Sequence, residues 1–172
     1  MSKVIYFDNN ATTQIAPEVF EAMKPFLTDL YGNPSSMHTF GGQVEHYIRS
    51  SRESVAKLIG CDSSEIIFTS CGTESDNAAI KGVLSAYPEK KKIITTRVEH
   101  PAVLAPCREL QAQGYKVVEL GVDKYGQINL EELKAEVDDE TAIVTIMYAN
   151  NETGVIFPID KIAEIVKSKG SV

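Results

Sequence analysis

The chain has 172 residues, 43% of them hydrophobic, and a formal net charge of −7. That length suits one domain or part of a larger one, and that apolar fraction suits a packed globule. An acidic balance without a basic stripe argues against a nucleic-acid or membrane-surface partner, and no apolar run reaches the roughly 20 residues that span a bilayer.

Val4 to Phe7 is a short apolar run. It ends in Asp8-Asn9-Asn10-Ala11-Thr12-Thr13, a loop rich in hydrogen-bonding side chains that also breaks any leader segment and points to the cytoplasm. Pro17 opens a helix striped by Val19, Phe20, Met23, Phe26, Leu27 and Leu30, with Pro25 placed to bend or interrupt it. Tyr31-Gly32-Asn33-Pro34-Ser35-Ser36 is a second turn-forming segment. Gly41 to Ile59 is a long amphipathic helix that Gly60 ends. Lys90-Lys91-Lys92 is expected as a solvated loop.

From residue 66 strands and helices alternate. Strands are expected over 66–70, 93–98, 116–122 and 141–149. Helices follow from about Glu74 to Tyr87, through Val103 to Leu110, after Asn129, and through Ile162 to Val166. This alternation implies βαβ units and a mostly parallel α/β sheet flanked by helices. Cys61, Cys71 and Cys107 are odd in number and lack C-x-x-C spacing, so neither a disulfide framework nor a metal site is expected.

The stretch Ile66 to Asn77 runs from strand through a small turn into a helix N-terminus. The first N–H groups of a helix lack internal partners and the helix dipole favours an anion there. Gly72 would let a ligand approach, and Thr73 adds a hydroxyl. The same residues also read as an ordinary cap, with Thr73 at the N-cap and Asp76 three residues on. Two more loaded segments follow strands: Glu99-His100-Pro101, and Asn150-Asn151-Glu152-Thr153-Gly154. In open parallel sheets ligands bind beyond the carboxyl ends of the strands, so all three share one edge. The bland Gly121-Val122-Asp123 then marks a peripheral strand. His100 could stack on a ligand or move a proton, or simply cap its own helix. Asn150 alone reads as a turn former.

Five segments together carry a family resemblance: Phe7 to Thr13, Gly32 to Ser36, Thr69 to Asn77, Glu99-His100, and Asn150 to Gly154. They resemble, in order and in register, the cysteine desulfurases of the NifS/IscS type, pyridoxal-phosphate enzymes of the class V aminotransferase group. The resemblance implies the aspartate aminotransferase-like fold type I. Residues 1–15 would be an N-terminal segment with an active-site loop, 16–60 a helical region, and 61–172 the first part of the large cofactor-binding domain. It implies that Gly72 and Thr73 bind the cofactor phosphate, and that His100 stacks on the pyridine ring and helps move protons. Asn151 would bond the phenolic oxygen, while Asn10, Ala11, Thr12 and Asn33 line the substrate side. The implied reaction converts L-cysteine to L-alanine and leaves a persulfide for an iron–sulfur scaffold or another sulfur acceptor. A homodimer is implied, with no nucleic acid and no membrane.

The departures are specific. Family members are more than twice this length. No lysine here stands in the Ser-x-His-Lys setting of the Schiff-base lysine, and no cysteine matches the persulfide position. The chain also stops before the strand whose aspartate pairs with the pyridine nitrogen. The chain is therefore expected to be the front half of a longer protein, with strand 66–70 lacking a neighbour. Alternatives are another class V enzyme, such as a selenocysteine lyase or an aminotransferase, or an inactive scaffold piece.

Overall fold

The computed structural model describes residues 4–172, in two compact units that divide between Phe68 and Thr69. In the first unit, α1 (Pro17–Thr28) starts on a proline whose missing N–H would have had no helical partner. The expected break at Pro25 does not occur; the helix continues to Thr28, where the Asp29 and Leu30 N–H groups both close on the Pro25 carbonyl. α2 (Thr39–Ile59) begins under His38, whose Nδ1 accepts the Gly41 N–H at 3.2 Å, and ends at Gly60 with φ +75°. Phe26 meets Tyr47 edge to face at 5.0 Å. Arg52 donates to the Ile66 carbonyl and lies over the Phe68 ring.

The expected strand over 66–70 does not form. Ile67 is 81% exposed and Phe68 half exposed, and neither belongs to a ladder among the described residues. A β-branched run supplies only propensity; a strand also needs a neighbour to receive its backbone bonds.

The second unit is built around β1 (Lys92–Thr96), every residue of which is buried. β2 (Lys116–Leu120) and β3 (Thr141–Val144) pair with it on either side, both parallel, in the order β2-β1-β3. Ile93 sits opposite Val117 and Ile143, and Ile94 opposite Val118 and Val144. Successive side chains of a strand face opposite ways, so the two isoleucines feed two separate cores. Ile93 packs with Ile80 and Leu84 of α3 (Gly72–Ala86) and with Val103, Cys107 and Leu110 of α4 (Pro101–Ala112). Ile94 packs with Leu133 of α5 (Leu130–Glu136), with Phe157, and with Ile162 and Val166 of α6 (Ile159–Lys167). Helices cover both faces, as a parallel sheet requires.

β2 lies at the edge, as its bland Gly121-Val122-Asp123 ending suggested. Asn129 caps α5 by accepting the N–H groups of Glu131 and Glu132. Lys92 departs from expectation. It is the first residue of β1, only 2% exposed, and its ammonium is held by the Glu136 backbone carbonyl and carboxylate and by Asp138. A buried ammonium is tolerated because these partners replace its hydration. Val172 lies along the free side of β3, accepting the Val144 N–H at 2.7 Å. No described helix is long and apolar enough to cross a membrane.

Candidate active site

The carboxyl ends of β1 and β3 and the N-terminus of α3 are laced together by side chains. α3 begins at Gly72, earlier than expected, and Thr73 is not its cap. Instead Glu74 reaches back, its Oε2 accepting the Ser70 N–H at 2.7 Å and the Ser70 hydroxyl at 2.6 Å. Those two bonds hold the Glu74 carboxyl below the usual carboxylate range. Thr69 and Ser75 close the same turn through their hydroxyls, 2.6 Å apart. The residue at the N-cap is Cys71, and no capping side-chain hydrogen bond occupies the helix start. The Glu74 N–H, the Ser70 hydroxyl and the Thr73 N–H favour the Cys71 thiolate and lower its pKa. Among the described residues, a Cβ added at Gly72 would meet nothing within 4 Å beyond its chain neighbours and its own helix backbone, so the helix start is open to a ligand.

Asn77, one turn into α3, donates from Nδ2 to its own Thr73 carbonyl at 3.0 Å and across to the Ala102 carbonyl at 3.3 Å. That second bond joins the N-terminal turns of α3 and α4. Between them lies an open cavity of about 410 Å³ whose walls include Thr73, Asn77, His100 and Glu109. His100 caps α4: its Nδ1 accepts the Ala102 N–H at 3.1 Å, and Pro101 takes the first helical position. With Nδ1 committed as acceptor, Nε2 is the nitrogen left to hold or pass a proton outward.

Glu99, beside His100, is 7% exposed. Its Oε1 accepts the Thr96 hydroxyl at 2.8 Å, and its two oxygens share the Met147 N–H at 3.0 and 3.1 Å. Burial pushes its pKa up, against the pull of those donors and with the help of nearby Asp76. This contact explains why β3 ends at Val144 and not near 149. After Thr145 bonds the Ile94 carbonyl, the chain is drawn to Glu99, and Ala149 pairs backwards with Ile156.

Asn150 fixes the loop that follows. Its Nδ2 donates to the Val98 carbonyl at 3.1 Å, and its Oδ1 accepts from the Glu152 N–H, the Thr153 N–H and the Thr153 hydroxyl. Its turn-forming reading is therefore correct, with the added function of tying this loop to the residue two before His100. Asn151 is the next residue and is exposed. The second unit thus brings Gly72, Thr73, His100 and Asn151 to one end of a parallel sheet. Asn10, Ala11, Thr12 and Asn33 belong to the first unit. There the Ala11 and Thr12 N–H groups close on the Asp8 carbonyl, and Asn33 Oδ1 accepts the Ser35 N–H at 2.9 Å. Gly41 packs so closely on the Asn33 carbonyl that a side chain there would collide with it.

Sequence reasoning gave no role to Glu99 or Asn77. The signal for Glu99 was a carboxylate between a buried strand and a proline-started helix, where burial is forced by position. Asn77 appeared only as the last residue of the segment that opens α3.

A helix-covered parallel sheet with an open helix N-terminus and a histidine at the strand ends is the layout of a fold type I cofactor-binding domain. The family description Aminotransferase class-V matches residues 5–172. A cysteine desulfurase of Trichormus azollae is 62% identical over 169 residues, 98% of this chain and 42% of its own length. The cysteine desulfurase NifS of Azotobacter vinelandii is 51% identical over 167 residues, 96% of this chain and 42% of its own length. A solved NifS-like protein superposes with a TM-score of 0.92 at 46% identity, over 96% of this chain and 46% of that one. A structure of SspA in complex with cysteine superposes at 0.90 with 35% identity, over 95% and 47%. The chain spans less than half the length of these relatives. It belongs to the class V aminotransferase family, whose members depend on pyridoxal phosphate, and within that family it is similar to the cysteine desulfurases.

Proposed function

We propose that this chain forms the phosphate-binding and ring-stacking part of a pyridoxal-phosphate-dependent cysteine desulfurase. Working as a cytoplasmic homodimer, the protein would take L-cysteine to L-alanine and pass the sulfur, as an enzyme persulfide, to an iron–sulfur scaffold or another acceptor. The supporting observation is the convergence of an uncapped helix start, a histidine with one committed nitrogen, and an asparagine loop, held by the Asn77–Ala102 and Asn150–Val98 bonds.

The donor set fits the cofactor. The backbone N–H groups of Gly72 and Thr73, with the Thr73 hydroxyl, present donors and a helix dipole to a phosphate. The open space over Gly72 leaves room for it. When bound, the cofactor supplies the electron sink for the substrate's carbon–hydrogen and carbon–sulfur chemistry. His100 offers its ring face for stacking and Nε2 for a proton, with its orientation fixed by the Ala102 N–H. Asn151 offers its amide to the phenolic oxygen. Asn10, Ala11, Thr12 and Asn33 supply small and amide groups for the amino-acid substrate.

The test is incubation of the whole protein with pyridoxal phosphate, L-cysteine and an added dithiol, which reduces the persulfide and releases its sulfur as sulfide. An absorbance band between 300 and 500 nm is followed along with alanine and sulfide. Alanine and sulfide in equal amounts, lost in His100→Ala, are expected. A cofactor band with no turnover of cysteine would overturn the desulfurase reading, and no band at all would overturn the cofactor site.

A further inference from the structure

Glu99 is a buried carboxylate facing no cation among the described residues. The titratable groups near it are Asp76 on α3 and Cys107 on α4, neither of which favours its charge, and His100 follows it in the chain. Two donors hold it through three contacts: Thr96 at the end of β1, and Met147 in the loop after β3, 48 residues on from Glu99. That loop carries Asn150 and Asn151.

We propose that Glu99 is a positioning residue, whose carboxylate sets the Asn150–Asn151 loop against the corner that presents His100. The proposal rests on the cofactor reading above and assigns the spacing of two of its contacts to a side chain that itself faces away from solvent. Stability alone does not account for a carboxylate there. Burial raises its pKa, so the folded state gains from protonating it, and its contribution to stability falls as pH rises through that raised value. A glutamine is nearly the same size and carries no charge to desolvate. Its Oε1 would still accept the Thr96 hydroxyl and the Met147 N–H, but the second Met147 contact would become donor to donor at Nε2 and shift the loop. A charged group kept at a cost to stability beside a candidate site is the pattern of a group retained for geometry.

The experiment compares the whole protein with its Glu99→Gln variant. Three readouts are taken: pyridoxal-phosphate affinity by absorbance titration, backbone amide signals of Met147, Asn150 and Asn151, and the thermal midpoint at pH 7.5. The variant should bind the cofactor about tenfold more weakly or worse. All three amide signals should move, with the thermal midpoint unchanged or higher. Unchanged affinity and unchanged Asn150 and Asn151 signals would overturn the proposal. So would a fallen midpoint with unaltered affinity of the folded fraction, which is what a merely structural role gives. If the unaltered protein binds no cofactor, the cofactor reading fails, and the amide signals alone decide whether Glu99 positions the loop. If the variant does not fold, the unaltered protein is titrated. Met147, Asn150 and Asn151 amides should then share one step above the usual Glu range near 4.3. Separate or absent steps would overturn the proposal.

Discussion

Replacing Asn150 with aspartate changes one atom type and little volume, and the structure says what that atom does. The retained Oδ1 keeps its three donors, the Glu152 N–H, the Thr153 N–H and the Thr153 hydroxyl. The Nδ2 donor to the Val98 carbonyl at 3.1 Å becomes an oxygen facing an oxygen. Losing that bond costs about 1 kcal/mol, and leaving a carbonyl unpaired opposite a partly buried anion adds about 1–2 more. We expect Asn150→Asp to be destabilised by about 2–3 kcal/mol at pH 7.5, read by urea unfolding followed by circular dichroism. The three donors on Oδ1 favour the ionised carboxyl while the Val98 carbonyl opposes it, so the penalty itself is the test. No loss of stability in Asn150→Asp would refute the assignment of Nδ2 as the link between the loop and Val98.

Alkylation should separate the cysteines by environment. Cys71, exposed and with its thiolate favoured by helix N–H groups, should react first with iodoacetamide at pH 7.5, while buried Cys107, pushed up to about 11, should stay unmodified in mass spectra of the folded protein. Added pyridoxal phosphate should slow labelling of Cys71, since its neighbours Gly72 and Thr73 are the proposed phosphate donors. Ile93→Ala, at a fully buried site between two strands and two helices, should cost about 2–5 kcal/mol in the same urea assay. Asp138 is held below the usual range, chiefly by its hydrogen bond to Lys92, so it adds stability above its unfolded pKa that is lost as pH falls through the lower folded value. Lys92→Met should therefore flatten the acid limb of the stability profile, measured as thermal midpoint from pH 5 down to pH 3.

Much of this chain is legible locally. The parallel α/β class follows from alternating strand and helix periods, and helix ends such as Pro17, Gly60 and Asn129 fall where short-range backbone chemistry puts them. The glycine–threonine turn and the histidine–proline corner are likewise signals carried by adjacent residues. The same locality misled at residues 66–70, where propensity is high but no described strand lies alongside. It misled at Lys92, grouped by sequence with its two neighbouring lysines and separated from them by burial. It also misled at Thr73, because Glu74 closes the turn through Ser70 and starts α3 at Gly72.

What tertiary structure alone decided is which distant groups meet. The Asn77–Ala102, Glu99–Met147 and Asn150–Val98 bonds span 25, 48 and 52 residues. None has a periodic or neighbouring signature. They exist because β1 and β3 pair in parallel and α3 and α4 cover one face together, which delivers three segments to the same end of the sheet. Sequence supplied the residue types able to bind a phosphate and hold a ring. Packing determined their spacing, because only packed strands and helices fix side chains far apart in the chain against one another.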